Sequence, residues 1–138
     1  MKIRILDKQF FYNGASVICK LDCYVAYSDD QYNLKHSIWP KIQKAFKSCS
    51  GHSLTYGEHY FSVVGKAKCM EGETYDRQIG EDIAEARAYK KVYKIGRQIA
   101  GIYVRKLNDW LDDFMYKYNR YDDLIDEEVV NINTLSNN

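Results

Sequence analysis

The stretch Phe61–Ile99, FSVVGKAKCMEGETYDRQIGEDIAEARAYKKVYKIGRQI, changes its hydrophobic period across a short polar turn. In its first part Phe61, Val63, Gly65, Ala67 and Cys69 alternate with Ser62, Val64, Lys66 and Lys68, the period-two pattern of a strand with one narrow apolar face and one basic face. Gly65 and Ala67 are small, which suits a helix or a ligand lying close over the sheet. MEGETYD then reads as a turn, and Asp76 or Thr74 is placed to cap a helix by accepting orphan backbone N–H bonds.

After the turn the apolar residues recur three or four apart. Ile79, Ile83, Ala86, Val92, Ile95, Ile99 and Ile102 form an expected inward stripe, continued by Tyr103, Leu107, Trp110, Phe114 and Tyr118. Gly96 and Gly101 weaken the middle of this segment. One long, kinked helix and a helical hairpin joined near Gly101 or Asn108 are both compatible with the pattern. The stripe is longer than a small sheet can cover. Its distal part, Tyr103, Leu107, Trp110 and Phe114, is expected to form a homodimer or higher homo-oligomer interface, or else to pack on Trp39 and Phe46.

Upstream, KIRILDKQFFYNGASVICKLDCYVAY reads as a hairpin, with strands over about 2–11 and 15–27. Asn13-Gly14 supplies the positive φ angles of a two-residue turn. WPKIQKAFKS is a short helix, with Pro40 in its first turn and Ile42, Ala45 and Phe46 facing inward. Beyond Tyr121 the chain is acidic and asparagine-rich, so residues 122–138 are expected to be a partly disordered tail behind a single domain over 1–121. The expected fold is α+β: a small antiparallel sheet from N-terminal and central strands, packed against one short helix and a long C-terminal helical segment.

Hydrophobic residues at 46% and charged residues at 28% describe a globular chain able to bury a core. The formal net charge is only +1, so no global field recruits nucleic acid or a membrane surface. The charge is nevertheless segregated. From Arg87 to Lys106 there are basic residues and no acid, whereas Asp109, Asp112, Asp113, Asp122, Asp123, Asp126, Glu127 and Glu128 dominate the end of the chain. The opening MKIRILDKQF is too polar for a signal peptide, and no apolar run is long enough to span a bilayer. The expectation is a cytoplasmic protein with reduced cysteines.

Cys49 and His52 have ligand-like spacing. Cys19 and Cys23 share one face of a strand but lie roughly 13 Å apart along it, too far for one zinc ion. With Val17, Leu21, Val25 and Tyr27 they read as the buried face of that strand, so no metal site is expected. His36 and His59 stand in loops or at element ends, without a nucleophile setting. Glu81 and Glu85 lie one turn apart, as paired catalytic carboxylates would, but acids near a helix start are explained by the helix dipole. No phosphate loop or dinucleotide fingerprint occurs, so neither catalysis nor a cofactor is expected.

The strongest constellation is a basic, aromatic helix face. Arg87, Lys90, Lys91, Lys94 and Arg97 recur at helical spacing, Tyr89 and Tyr93 stand between them, and Lys66 and Lys68 lie on the strand that leads in. Guanidinium groups bind phosphate oxygens bidentately and tyrosine rings stack on bases, so this set suits an anionic nucleotide or a nucleic-acid strand. A set of solvated lysines on an ordinary helix surface looks similar.

Residues 63–91 also carry a motif: Gly65, Ala67 and Cys69, then Tyr75-Asp76, then Gly80, Ile83, Ala84, Arg87 and Ala88. It resembles small proteins of phages and prophages, and among these it is similar to the Thoeris anti-defence sponge family. The resemblance implies a non-enzymatic protein that sequesters a cyclic nucleotide signal made by a host immune enzyme, in pockets between subunits lined by arginines and aromatics. Two other readings stay open. One is an inhibitor that docks on a host nuclease or CRISPR-type effector through an acidic, nucleic-acid-mimicking surface. The other is a nucleic-acid-binding module.

Overall fold

The computed structural model describes residues 1–27, 38–44, 47, 60–70 and 72–137. The chain divides into two units, Met1–Ile102 and Tyr103–Asn138. The first unit holds a three-stranded antiparallel sheet in the order β1-β2-β3, formed by Lys2–Asn13, Ser16–Ala26 and Tyr60–Lys68. A short helix α1 covers 38–44, and Ile38 and Ile42 are fully buried on it. Ala45, Phe46, Cys49 and the three histidines lie outside the described residues. The helix α2 runs unbroken over Arg77–Ser136. It is one helix, neither hairpin nor broken at Gly101, and it also replaces the tail expected from residue 122. No helix among the described residues is long and apolar enough to cross a membrane.

The hairpin forms as the alternation predicts, with its turn one residue later. Asn13 pairs with Ser16, so Gly14-Ala15 is the two-residue loop, and Gly14 takes φ of 59° at a position where L side chains are disfavoured. Of the predicted inner face of β2, Val17, Cys19, Leu21, Cys23 and Val25 are all buried, and Tyr27, just past the end of the strand, is half-buried.

The register of β1 slips between Ile5 and Asp7, which makes Leu6 a bulge. Before the slip Ile3 and Ile5 lie opposite Val25 and Cys23; after it Lys8, Phe10 and Tyr12 lie opposite Leu21, Cys19 and Val17. One inserted residue therefore changes which parity of β1 faces the helix, because side chains alternate with period two.

The start of α2 lies directly on β3. A Cβ at Gly65 would stand 2.0 Å from the Ala84 carbonyl oxygen and 2.5 Å from the Ala88 nitrogen. Gly80 is similarly close to Val17, 2.9 Å from its Cγ2. The face that meets the sheet is consequently Gly80, Ala84 and Ala88, followed by Val92, Ile95, Ile99 and Ile102. This corrects the expected stripe at its start. Ile79 and Ile83 are 56% and 41% exposed, and Ala86 is exposed too. Large side chains there would hold the helix away from the sheet, and the small ones let backbone approach backbone. The helix begins where expected: the Ile79 N–H donates to Asp76 Oδ1 at 3.1 Å, so Asp76 is the cap.

Replacing Gly65 with alanine is expected to destabilise the protein by more than about 3 kcal/mol, since the added methyl meets backbone that no rotamer can move. Urea unfolding followed by circular dichroism measures this. A loss below about 1 kcal/mol would show that helix and strand are not in this contact.

Candidate functional site

The buried stripe of α2 fixes what its other sides do. On the side toward β3, Arg87 Nη1 donates to the Lys66 carbonyl oxygen and Lys91 Nζ to that of Val64, each at 2.5 Å. These carbonyls point away from β2, because odd-numbered residues make the ladder to it, as the 3.0 Å bond from Cys69 N–H to the Ala15 carbonyl shows. Arg87 and Lys91 thus satisfy the outer edge of β3, one of the two edge strands among the described residues. Lys66 and Lys68 are exposed on the face of β3 opposite its buried residues Phe61, Val63 and Ala67. The structure therefore does not bring Arg87, Lys91, Lys66 and Lys68 together with the rest of the expected binding set.

On the side toward β1, the bulge has turned Lys8 and Tyr12 to the helix. Lys8 Nζ lies 2.8 Å from Glu85 Oε1. The Tyr12 hydroxyl donates to Glu81 Oε1, and Arg77 Nε donates to the same oxygen at 3.1 Å while its guanidinium covers the Tyr12 ring at 4.2 Å. The Tyr12 hydrogen bond, with that of Arg77 behind it, holds the Glu81 carboxyl below its ordinary pKa. The hydrogen bond to Glu85 raises that of Lys8. Glu81 and Glu85 are thus helix-to-strand clasps. Their explanation by the helix dipole is corrected as well, since the first turn of α2 contains no acid.

The remaining side carries Lys90, Tyr93, Lys94 and Arg97, which with Ala86 line a shallow depression. Beside it a groove of about 400 Å³ runs between the start of β1 and α2, within the range of small-ligand clefts. Ile3, Ile5 and Val92 make it apolar, Tyr89 and Tyr93 wall it, and Arg97 stands at its edge. Gly96 lines it beside Ile3, where a Cβ would sit in ordinary contact with Ile3 Cδ1 at 3.4 Å. The two tyrosine rings lie 6.1 Å apart and tilted by 32°, and Tyr93 is 69% exposed. Among the described residues, Lys90, Lys94 and Arg97 form no ion pair. The arrangement offers an aromatic slot next to uncompensated positive charge. Sequence reasoning found the cations and the tyrosines but missed Ile3 and Ile5, because only the register of β1 brings them to this place.

Among the described residues no cluster of three histidine, cysteine or acidic side chains could hold a metal. Burial pushes the Cys23 thiol up to about 12 and also raises that of Cys19, which keeps both in the inert thiol form.

Because the Glu81 carboxyl is held below its ordinary value, its clasp stabilises the fold above the normal glutamate range, and that contribution is lost as pH falls through the lowered value. Glu81→Gln is expected to melt below the parent protein at pH 7, the gap closing as the pH is taken below the glutamate range. Thermal melts across pH check this; a gap that stays constant to low pH contradicts it.

Comparison with protein-family models, with characterised proteins and with solved structures finds no match to this chain.

Proposed function

We propose that the chain is a non-enzymatic binding protein that captures and sequesters a small anionic nucleotide, of the cyclic ADP-ribose or cyclic dinucleotide class, in the groove between β1 and α2. The observation that carries this reading is the aromatic, apolar slot of Tyr89, Tyr93, Ile3 and Ile5 set against Lys90, Lys94 and Arg97, with no carboxylate paired to those cations among the described residues. A base stacks on a tyrosine face, and phosphate oxygens take charge-assisted hydrogen bonds from the adjacent cations. A near-neutral chain with a local cationic strip favours a small charged ligand over a long polyanion, whose affinity is built from many phosphate contacts. The resemblance of the Gly65–Ala88 motif to the anti-defence sponges points to the same class of ligand, although in this chain Arg87, the motif's arginine, serves the edge of β3.

Calorimetry with cyclic ADP-ribose isomers and cyclic dinucleotides tests the proposal. Saturable binding of at least one is expected. Arg97→Ala and Tyr93→Ala should each weaken it about tenfold or more, as losing a charge-assisted bond or a stacked base costs about 1–3 kcal/mol. Arg87→Met should leave the affinity unchanged. Absence of heat and of any thermal shift with every one of these ligands sinks the reading. Binding to oligonucleotides that weakens steeply with salt would assign the face to nucleic acid instead.

A further inference from the structure

The second unit, Tyr103–Asn138, is helical through Ser136, and most of its large apolar side chains beyond Tyr103 are exposed among the described residues. Leu107, Leu111, Phe114, Tyr118, Tyr121 and Ile125 are all between 48% and 68% exposed. Helical stability in proteins comes mostly from packing an apolar face. Tyr103, expected at this interface, is already buried at 7% exposure and does not belong to the uncovered stripe.

The spacing of the stripe identifies its cover. Val104, Leu111, Tyr118, Ile125 and Ile132 recur every seven residues. Leu107, Phe114, Tyr121, Glu128 and Leu135 recur at the same interval, three residues behind. This is the alternating four-three pattern of heptad positions a and d, sustained over about four and a half heptads, and a period of 3.5 demands a partner helix that supercoils with it. The outward positions b, c and f hold Asp109, Asp112, Asp113, Asp123, Asp126 and Glu127, which places most of the acidic run in solvent.

The flanking positions g and e identify the partner. In a parallel, in-register pair, each g residue meets the e residue five positions further along the other copy. Those meetings are Trp110 with Met115, Lys117 with Asp122, Leu124 with Val129, and Asn131 with Ser136. Apolar meets apolar, cation meets anion and amide meets hydroxyl. Sliding one copy by a heptad sets Trp110 against Asp122 and Lys117 against Val129. Antiparallel alignment of the full stripe sets Lys117 against Leu124 and Met115 against Asp122. Of these three arrangements between identical copies, only the parallel, in-register one sets no charge against an apolar residue.

We infer that residues 104–135 form a parallel, in-register, two-stranded coiled coil with a second copy of this chain. β-Branched Val104, Ile125 and Ile132 at position a, with Leu107 and Leu135 at position d, favour two strands. Glu128 is the one charged residue in the stripe. It sets two like-charged carboxylates in one layer of the pair, at a cost in affinity. The inference does not depend on the nucleotide proposal, because it uses no residue of that groove.

Sedimentation velocity of the full chain at micromolar concentration should give twice the chain mass. Phe114→Asp together with Ile125→Asp should give a monomer, and Glu128→Leu should tighten the pair about tenfold or more. Orientation is read by mixing two charge variants. Lys117→Glu alone sets acid against Asp122 of its copy, and Asp122→Lys alone sets two lysines together; mixed, they make two opposite-charge contacts. Lys117 also bridges Asp113 at 2.9 Å within its own chain, a contact that Lys117→Glu loses in either pairing and that cancels in the comparison. Mixed pairs well above the statistical half of all dimers are expected, read by native mass spectrometry. A monomeric parent chain, any mass other than twice the chain, or mixed pairs at the statistical half overturns the inference. None of these outcomes bears on whether nucleotide binds.

Discussion

The contact between the backbone of α2 and the backbone of β3 governs the first unit. Gly65 admits the Ala84 carbonyl and the Ala88 amide at distances no side chain permits, and Gly80 gives Val17 the same room. Once the helix is that close, its flanks are within reach of both outer strands. Arg87 and Lys91 then reach the carbonyls of β3, and Glu81 and Glu85 reach the side chains of β1. The basic and acidic residues near the start of α2 are thus consequences of a close approach set by small residues. The cations free to meet a ligand are those one turn further round.

Strand alternation and helical spacing made the elements legible. The β2 face, the Asp76 cap and the small residues of β3 all behave as their patterns predict. The pattern was misleading where small and large apolar residues competed for one helix face. Ile79 and Ile83 look like core by hydrophobicity, but alanine and glycine won those places because distance, not greasiness, was limiting. The acidic end was misread for a related reason. A tail rich in aspartate and asparagine reads as unfolded by composition, while its tyrosines, isoleucines and leucines keep the helical period, broken only at Glu128.

The candidate site was half legible for a geometric reason. Helical spacing places Lys90, Tyr93, Lys94 and Arg97 on one surface without any knowledge of the fold. It cannot place Ile3 and Ile5, which come from the opposite end of the sequence, nor show that Arg87 and Lys91 are engaged by a neighbouring strand. A row of cations on a helix is therefore best sorted by what lies beside each flank. Those beside an open sheet edge are drawn to its carbonyls, and those facing outward remain for a guest.

The extra residue at Leu6 gives the first strand two successive personalities. Its opening half presents aliphatic groups to the groove, and its closing half presents an amine and a phenol to the carboxylates of the helix. A strand of strict parity could serve only one of these purposes without placing charge in the wrong half. Loss of that single residue would act as a phase error in the protein itself. Every group beyond it would rotate to the far side, and the groove wall and the clasps could no longer be built from the same strand.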